Sequence, residues 1–219
     1  VVAQWHPIVE KIGSESRLVI FDDGSKDNCY AKMLEIQSQY PQFLPKTKAN
    51  SGHGSTCLAL YNFALEQDAD FIFQTDSDGQ TLPEEFWQFW SQRETHDLGI
   101  GVRNAREDGS SRVFVTRVLR MVIRLTFGLD VKDANTPFRL MKKERLKEYL
   151  SYIPNDFFLS NVLISVIATK KKENILWLPI TFRPRQAGTN SINLKRITKI
   201  GWQALKDFRR IDKVLKKTI

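Results

Sequence analysis

Two short acidic clusters in the first half of the sequence contain residue types that can bind metals and nucleotides. Asp76 and Asp78 are one residue apart and follow the apolar stretch 70–75. Two carboxylates at this spacing can reach one hard cation, and proteins hold Mg²⁺ or Mn²⁺ with one or two carboxylates plus phosphate oxygens of a substrate. Asp22 and Asp23 follow another apolar stretch, where a carboxylate could bind a nucleotide base or ribose. Each cluster could equally form an ordinary turn, because Asp, Ser and Gly are common turn residues.

A glycine-containing segment precedes a predicted helix further along the chain. Gly52 and Gly54 match the first two glycines of the dinucleotide-binding pattern G-x-G-x-x-G, but Cys57 stands at the third glycine position. The pattern therefore fails, which argues against a dehydrogenase. We expect a turn in which glycine permits close packing of a helix against a strand.

The predicted elements place both acidic clusters at one edge of a sheet. Continuous apolar runs, typical of buried parallel strands, alternate with amphipathic segments. This alternation predicts an α/β fold with a mostly parallel central sheet flanked by helices, in which sites gather beyond the carboxyl ends of the strands. The predicted strands are 17–21, 43–49, 70–75, 97–102, 138–141 and 175–182; the predicted helices are 3–12, 27–40 with Asp27 as N-cap, one ending near 67, one beginning at Pro83, 112–127, 157–169 and one from 193 onward.

Charge and cysteine content limit the function classes. Residues 1–100 contain 7 Lys and Arg against 15 Asp and Glu, whereas residues 101–219 contain 26 against 10. The acidic half fits a metal site, and the basic half fits a surface for phosphates, nucleic acid or anionic lipid. Cys29 and Cys57 are too few for a disulfide framework, so we expect buried free thiols in a reducing compartment. We expect no signal peptide and no membrane-spanning segment, because apolar runs of about 18 residues are absent.

Short motifs occur in a fixed order along nearly the whole chain. They comprise residues 22–25 (Asp-Asp-Gly-Ser), Asn50 with Gly52, residues 70–80, residues 101–103 (Gly-Val-Arg), residues 133–139 and residues 185–191. Together they resemble the motifs of family 2 glycosyltransferases of the GT-A fold, in the branch of dolichyl- and polyprenyl-phosphate sugar transferases.

The resemblance implies a metal-dependent, inverting hexosyltransferase with a UDP- or GDP-linked sugar donor and a polyprenyl-phosphate acceptor. It implies Mg²⁺ or Mn²⁺ as the cofactor. The implied nucleotide-binding residues are Asp22, Asp23, Gly52 and Asp76; the metal ligands are Asp76, Asp78 and Gln80; the phosphate-binding residues are Arg103, Arg112, Arg139 and Arg185; the catalytic residues are Asp76, Asp78, Arg103, Asp133 and Arg185.

The sequence departs from the family pattern in three places. Family members begin with an apolar strand, and this chain begins in the helix that follows it, so we expect that strand to be missing. The family's Ser-Gly-Phe-Arg reads Thr-Pro-Phe-Arg here, ending at Arg139. Members that act on sugar hydroxyls carry Glu-Asp at the start of a late helix, and residues 157–161 contain no acidic pair. That absence favours an acceptor phosphate, which is already an anion and barely needs a general base; Asp156 is nearby but is equally plausible as an N-cap. A sugar hydroxyl in cell-surface polysaccharide synthesis remains the alternative.

The domain organisation follows from the same resemblance. Residues 1–189 are predicted to form the catalytic domain, with a nucleotide-sugar-binding half (1–102) and an acceptor-side half (103–189). Residues 190–219 contain 9 Lys and Arg against 2 Asp and are predicted to form an amphipathic helix on the anionic cytoplasmic face of a membrane. The helix 112–127, with three arginines on one stripe, fits a membrane surface and a packed helix equally.

A non-enzymatic nucleic-acid-binding module is the remaining alternative. The isoelectric point near 9.5 suggests it, but the sequence contains no recognisable reading motif. The acidic strand ends would also repel phosphate unless they were loaded with metal. We therefore expect no nucleic-acid partner.

Overall fold

A computed structural model describes residues 1–103, 110–154, 157–184 and 194–218; in the two longest helices it describes the side chains of residues 115–127 and 204–217. The helices are α1 (Val2–Ile12), α2 (Cys29–Gln37), α3 (His53–Glu66), α4 (Phe86–Trp90), α5 (Ser110–Phe127), α6 (Lys143–Ser151), α7 (Ser160–Lys170) and α8 (Leu194–Thr218), and a 3₁₀ turn, Pro83–Glu85, precedes α4. The strands are β1 (Leu18–Asp22), β2 (Phe43–Thr47), β3 (Phe71–Gln74), β4 (Leu98–Arg103), β5 (Arg139–Lys142) and β6 (Ile175–Ile180).

The strands of the described chain form two sheets. β1 and β2 pair in parallel, and the second sheet has the order β3-β5-β4-β6. β4 and β6 are parallel, whereas β5 runs antiparallel to both of its neighbours. The predicted α/β class is therefore confirmed, and one strand direction differs from a fully parallel sheet. The loop between α5 and β5 returns the chain to the carboxyl edge, so β5 enters the sheet from the opposite end.

Helix α1 connects the two sheets, between which the described residues form no ladder. The ring of Trp5 lies 5.4 Å from that of Phe73 in β3 and 6.3 Å from that of Phe138, just before β5. One turn earlier in α1, Val2 packs in a small cluster with Met33 and the fully buried Phe43 of β2. Burying these aromatic and aliphatic side chains supplies the free energy that holds the β1–β2 pair against the larger sheet.

Alternate residues of the larger sheet face two different layers of helices. Ile72, Leu98, Ile100 and Met141 belong to the main core, which includes side chains of α3, α5, α6, α7 and α8. Leu140 and Ile180 point the other way, into an aromatic cluster with side chains of α1 and α4. Nearly every residue of α7 is buried, which explains why its sequence is apolar all round rather than amphipathic. The result is a helix–sheet–helix sandwich.

Several local predictions need correction. The helix predicted over 27–40 covers only Cys29–Gln37, and Asn28 rather than Asp27 is at the N-cap position. The Asp27 carboxylate accepts a bond from the Cys29 N–H (3.1 Å) from just outside the helix. Helix α6 was not predicted, although its core positions Leu146 and Tyr149 have helical spacing. Cys57 is a buried free thiol as expected, but Cys29 is exposed.

The C-terminal helix contributes side chains to the main core. Four of its side chains are buried there, namely Ala204, Phe208, Ile211 and Leu215, and the Phe208 ring lies 5.5 Å from that of Phe127 in α5. Among its described side chains (204–217), the exposed ones are Lys and Arg residues together with Val214. None of the helices within the described ranges is long and apolar enough to cross a bilayer.

Candidate active site at the carboxyl edge of the sheet

Most of the predicted site residues lie at one edge of the sheets. Strands β1, β3 and β4 end there at Asp22, Gln74 and Arg103, and the antiparallel β5 begins there at Arg139. The acidic loop with Asp76 and Asp78 follows β3 directly. Parallel strands bring residues distant in sequence together in this way, and it is where open α/β sheets bind their ligands.

The acidic loop after β3 has hydrogen bonds within itself and to the segment that follows β6. The hydroxyl groups of Thr75 and Thr81 are 2.7 Å apart, and the Gln80 N–H donates to Asp78 Oδ1 (3.2 Å). Gln80 is buried, and its Nε2 donates to the carbonyl of Arg183 (2.7 Å) while the Arg183 N–H donates to the Gln80 carbonyl (2.8 Å). A loop held at both ends is preorganised to present its carboxylates.

Asp76 and Asp78 are both partly exposed and lie on this loop. Among the described residues, no group of three or more His, Cys, Asp or Glu side chains could hold a metal ion. The carboxylate pair would therefore need oxygen ligands from elsewhere, which is how Mg²⁺ and Mn²⁺ sites are completed by substrate phosphates and water. Burial, and secondarily the charge of Asp76, raises the pKa of the Cys57 thiol to about 12, so Asp76 also lies near the first turns of α3.

Arg103 and Asp133 form a bidentate ion pair at the end of β4. Arg103 Nε donates to Asp133 Oδ2 and Nη2 donates to Oδ1, both at 2.9 Å, and the Arg103 N–H also reaches Oδ2 at 3.2 Å. The side chains are only 16% and 6% exposed. The Arg103 guanidinium also lies over the ring of Phe182, 5.2 Å from its centre. Two parallel bonds fix the plane of a guanidinium, which then has one defined orientation at the sheet edge.

Asp22 and Asp23 stabilise the loops around them. Asp22 accepts bonds from the Ser25 N–H (3.2 Å) and from Thr47 Oγ1 (3.0 Å), and its pKa is lowered chiefly by hydrogen bonds from Ser25. Asp23 pairs with Lys48. It also accepts bonds from the N–H groups of residues 51 (3.0 Å) and 52 (2.8 Å) in the loop before α3. Burial alone would raise the pKa of Asp23, but these bonds outweigh it and the pKa is lowered.

Arg139 is completely buried and has its donors engaged within the protein. Its Nε and Nη2 donate to the Thr136 carbonyl (3.1 and 3.0 Å), Nη2 also donates to the Ala134 carbonyl (3.0 Å), and Nη1 donates to the Asn161 carbonyl (2.9 Å). A phosphate could not reach this guanidinium. The resemblance implied that Arg139 binds phosphate, but its burial excludes it from the phosphate-binding residues of this site.

A buried polar cluster extends from Arg139 to the base of the acidic loop. Tyr61 in α3 donates to Asn161 Oδ1 (2.8 Å), and Asn161 Nδ2 donates to Gln74 Oε1 (3.2 Å). Gln74 is the last residue of β3, two positions before Asp76. We call Tyr61, Gln74, Arg139 and Asn161 the buried polar cluster. Of its members, only Arg139 was predicted as a site residue from the sequence; the signal for Gln74 is an amide at the end of an otherwise apolar strand.

Two predicted residues cannot be placed. Arg185 lies outside the described residues, and Arg112 lies in α5 where the side chain is not described. Gly52 precedes α3 as its N-cap residue with a φ of +88°, and Gly54 packs against the backbone of Phe158. The close packing expected of these glycines is confirmed for Gly54, although its partner is the segment before α7 rather than a strand.

Comparison with solved structures identifies the fold. The chain is similar to glucosyl-3-phosphoglycerate synthase from Mycobacterium tuberculosis in complex with Mn²⁺ and UDP-glucose: the TM-score is 0.65 and the identity 16%, over 97% of this chain and 73% of that one. The same enzyme with Mn²⁺, UDP and phosphoglyceric acid gives a TM-score of 0.66 at 15% identity, over 96% and 72% of the two chains. No protein-family model matches the chain. The expected GT-A fold is confirmed.

Proposed function

We propose that this protein is a metal-dependent inverting glycosyltransferase that moves a sugar from a nucleotide-sugar donor to a polyprenyl-phosphate acceptor. One observation carries the proposal: the fold places the loop with Asp76 and Asp78 at the same sheet edge as the Arg103–Asp133 pair. A carboxylate pair for a cation and an oriented arginine are the groups that a departing diphosphate requires. The structurally similar synthase, which binds Mn²⁺ and UDP-glucose, supports the donor class.

The carboxylate loop has the donor set of a Mg²⁺ or Mn²⁺ site. Asp76 and Asp78 would supply carboxylate oxygens, and Gln80 could contribute only its amide oxygen, because Nε2 donates to Arg183. When bound, such a cation would neutralise charge on the donor diphosphate. The hydrogen bonds between Gln80 and Arg183, just after β6, hold the loop in place before the donor arrives. Donor binding therefore requires little further ordering of the loop.

The Arg103–Asp133 pair would stabilise the leaving diphosphate. As the bond to the anomeric carbon breaks, negative charge grows on the departing phosphate, and a guanidinium held in a fixed plane stabilises that charge without reorganisation. Asp133 holds Arg103 in this plane. Arg112 and Arg185 remain proposed phosphate ligands on the strength of the resemblance.

The acceptor assignment depends on the absence of an acidic pair in residues 157–161; Asp156, just before them, lies outside the described residues. Asn161 takes part in the buried polar cluster, and no acidic side chain occurs in residues 157–161. A sugar hydroxyl would need a base to accept its proton, whereas a phosphate is already anionic. We place the enzyme peripherally on the cytoplasmic face of a membrane, with the polar face of α8 toward anionic lipid. A hydroxyl acceptor in polysaccharide synthesis is the second candidate, and transfer onto a small phosphorylated acceptor is suggested by the similar synthase's complex with phosphoglyceric acid.

The donor site can be tested by calorimetry with UDP- and GDP-sugars in the presence and absence of Mn²⁺. Asp78→Asn keeps the shape of the side chain and removes its charge, so Mn²⁺-dependent binding should fall at least tenfold. Asp70→Asn, an exposed carboxylate just before the same strand, is the matched control and should bind as the parent does. Unchanged binding by Asp78→Asn would refute the metal assignment.

Product analysis distinguishes the acceptor classes. A sugar on a lipid phosphate is extracted into organic solvent and released by mild acid, whereas a glycan or a small phosphorylated product is not extracted. Retention on heparin without Mn²⁺-dependent nucleotide binding would instead favour the nucleic-acid alternative.

A further inference from the structure

The outward side of α5 exposes two large apolar residues one turn apart. Ile123 and Phe127 are buried in the main core. Met121 and Leu125, by contrast, are 56% and 78% exposed, more than any other large apolar side chain among those described. Residues four positions apart share one helix face, so Met121 and Leu125 form a continuous apolar strip. In the folded protein these two side chains therefore contact water, whereas Ile123 and Phe127 of the same helix do not.

Arginines surround this strip. Arg117 and Arg124 are exposed one turn before and one turn after Met121. Arg120 is exposed as well and forms a bidentate pair with Asp130 (2.6 and 2.7 Å). We call Arg117, Arg120, Met121, Arg124 and Leu125 the outer face of α5. Long basic side chains beside protruding Met and Leu are the pattern of helices that lie in a membrane interface, with the apolar residues below the headgroups.

Helix α8 extends the basic surface beside this face. The two helices touch through Phe127 and Phe208, whose rings are 5.5 Å apart. Both helices bury one side in the main core. The cations that α8 exposes are Lys206, Arg209, Arg210, Lys213, Lys216 and Lys217.

We propose that the outer face of α5 docks on an anionic lipid bilayer, with Met121 and Leu125 inserted among the headgroups and with Arg117 and Arg124 at lipid phosphates. This deepens the proposed function, on which it rests only in that the lipid-borne acceptor would lie in the same bilayer. From the sequence, α5 fits a packed helix and a membrane-surface helix equally. The exposed fractions show that one face of α5 packs in the core and that another is exposed, and the exposed face is the one that we propose to dock.

The charge of this face argues against a second copy of the chain as its occupant. A symmetric pair would bring the arginines of one α5 against basic side chains of the other, and Asp130 is the acidic side chain that the described residues place beside this face. Two apolar side chains are also too few for a stable dimer interface, which buries about 800 Å² on each partner. A bilayer needs no matching shape, and each cation near an anionic surface adds to the attraction.

Co-sedimentation with vesicles of phosphatidylcholine and phosphatidylglycerol tests the apolar contact. The double variant Met121→Gln with Leu125→Gln should lose roughly tenfold to hundredfold in partitioning, since each inserted side chain contributes the transfer of several CH₂ groups. Leu34→Gln is the matched control, because Leu34 is 46% exposed on α2, next to the smaller sheet. It should sediment as the parent does.

A second pair of variants tests the charges. Arg117→Gln with Arg124→Gln should weaken binding to the anionic vesicles roughly tenfold or more at low salt, and rising salt should reduce the difference. Lys32→Gln, an exposed cation on α2, is the control. Nucleotide-sugar binding without vesicles is measured in parallel, so loss of the donor site and loss of docking are seen separately.

Two results would overturn the proposal. One is a Met121→Gln/Leu125→Gln variant that has the parent's circular dichroism and sediments as well as the parent. The other is a parent protein that light scattering shows to be dimeric and that this double variant converts to a monomer, since the face would then serve self-association.

Discussion

At the residue scale, Asp22 and Asp23 at the end of β1 hold loops together. Each accepts several hydrogen bonds from the protein, and Asp23 pairs with Lys48 as well. The nucleotide-binding roles predicted for these two therefore have to coexist with a structural one, which sequence could not reveal because Thr47 and Lys48 come from a different strand end.

The structural role of Asp23 predicts a pH dependence of stability. The pKa of Asp23 in the folded protein lies below the ordinary value of 3.8. The stability that ionised Asp23 adds is therefore fully present above pH 3.8 and is lost as the pH falls through the folded pKa. Thermal unfolding followed from pH 6 downward should show a weaker acid dependence for Asp23→Asn than for the parent, with a lower melting temperature near neutrality. The exposed Asp70→Asn should keep the parent's profile; an equal slope for Asp23→Asn and the parent would contradict the role.

Arg139 provides a second residue-scale prediction. Arg139→Gln removes the guanidinium that donates to the buried carbonyls of Ala134, Thr136 and Asn161, and a hydrogen bond to a charged group contributes about 1.5–3 kcal/mol. The Ala134 and Asn161 carbonyls keep Ser165 Oγ as a donor, whereas the Thr136 carbonyl loses both of its bonds from Arg139. We expect a loss of at least about 3 kcal/mol in the free energy of unfolding, measured by urea denaturation. Arg120→Gln, which breaks an exposed ion pair, should cost no more than about 1 kcal/mol. A stable Arg139→Gln protein with weakened diphosphate binding would restore the phosphate-binding role.

At the element scale, sequence predicted what depends on local pattern and missed what depends on distant partners. The apolar runs located β1, β3, β4 and β6 to within about two residues, and Pro83 marked the start of a helical turn. The direction of β5 could not be read from its residues, because it depends on where the preceding loop re-enters the sheet. The burial of Arg139 could not be predicted either, because it depends on α7, whose residue Asn161 is more than twenty positions away in the sequence.

The junction of α3 and α7 gives an element-scale prediction. A Cβ at Gly54 would lie 2.3–2.4 Å from backbone atoms of Phe158, so Gly54→Ala must push the two helix starts apart. We expect a loss on the order of 3 kcal/mol, although alanine in a helix normally stabilises it relative to glycine. Ser55→Ala, at the next position, should change stability by less than about 1 kcal/mol. Thermal or urea unfolding decides, and a stabilised Gly54→Ala protein would show that the contact is not tight.

At the scale of the whole molecule, the two sheets are held together by side chains alone within the described residues. The Leu18 N–H donates to the Gln42 carbonyl, next to β2. Because N–H directions alternate along a strand, the Ile20 N–H also points toward β2, whereas the N–H groups of Val19 and Phe21 point toward the opposite edge of β1. Hydrogen exchange should therefore be faster at Val19 and Phe21 than at Ile20, and two-dimensional NMR measures this directly. Equal protection at the three amides would show that another segment pairs with this edge.

Among the described residues no strand pairs with the outer edge of β1, and this edge has a consequence for handling the protein. The segment Leu18–Phe21 reads Leu-Val-Ile-Phe, and it contains no charge or proline of the kind that guards natural edge strands. Brief separation of α1 from β1 would offer this strand as a template to another molecule, and strands added from solution lead to fibrillar aggregates rather than closed oligomers. In a heated, concentrated sample, turbidity should then rise before circular dichroism reports global melting. Shelf life would be governed by one uncharged strand rather than by the global stability of the fold.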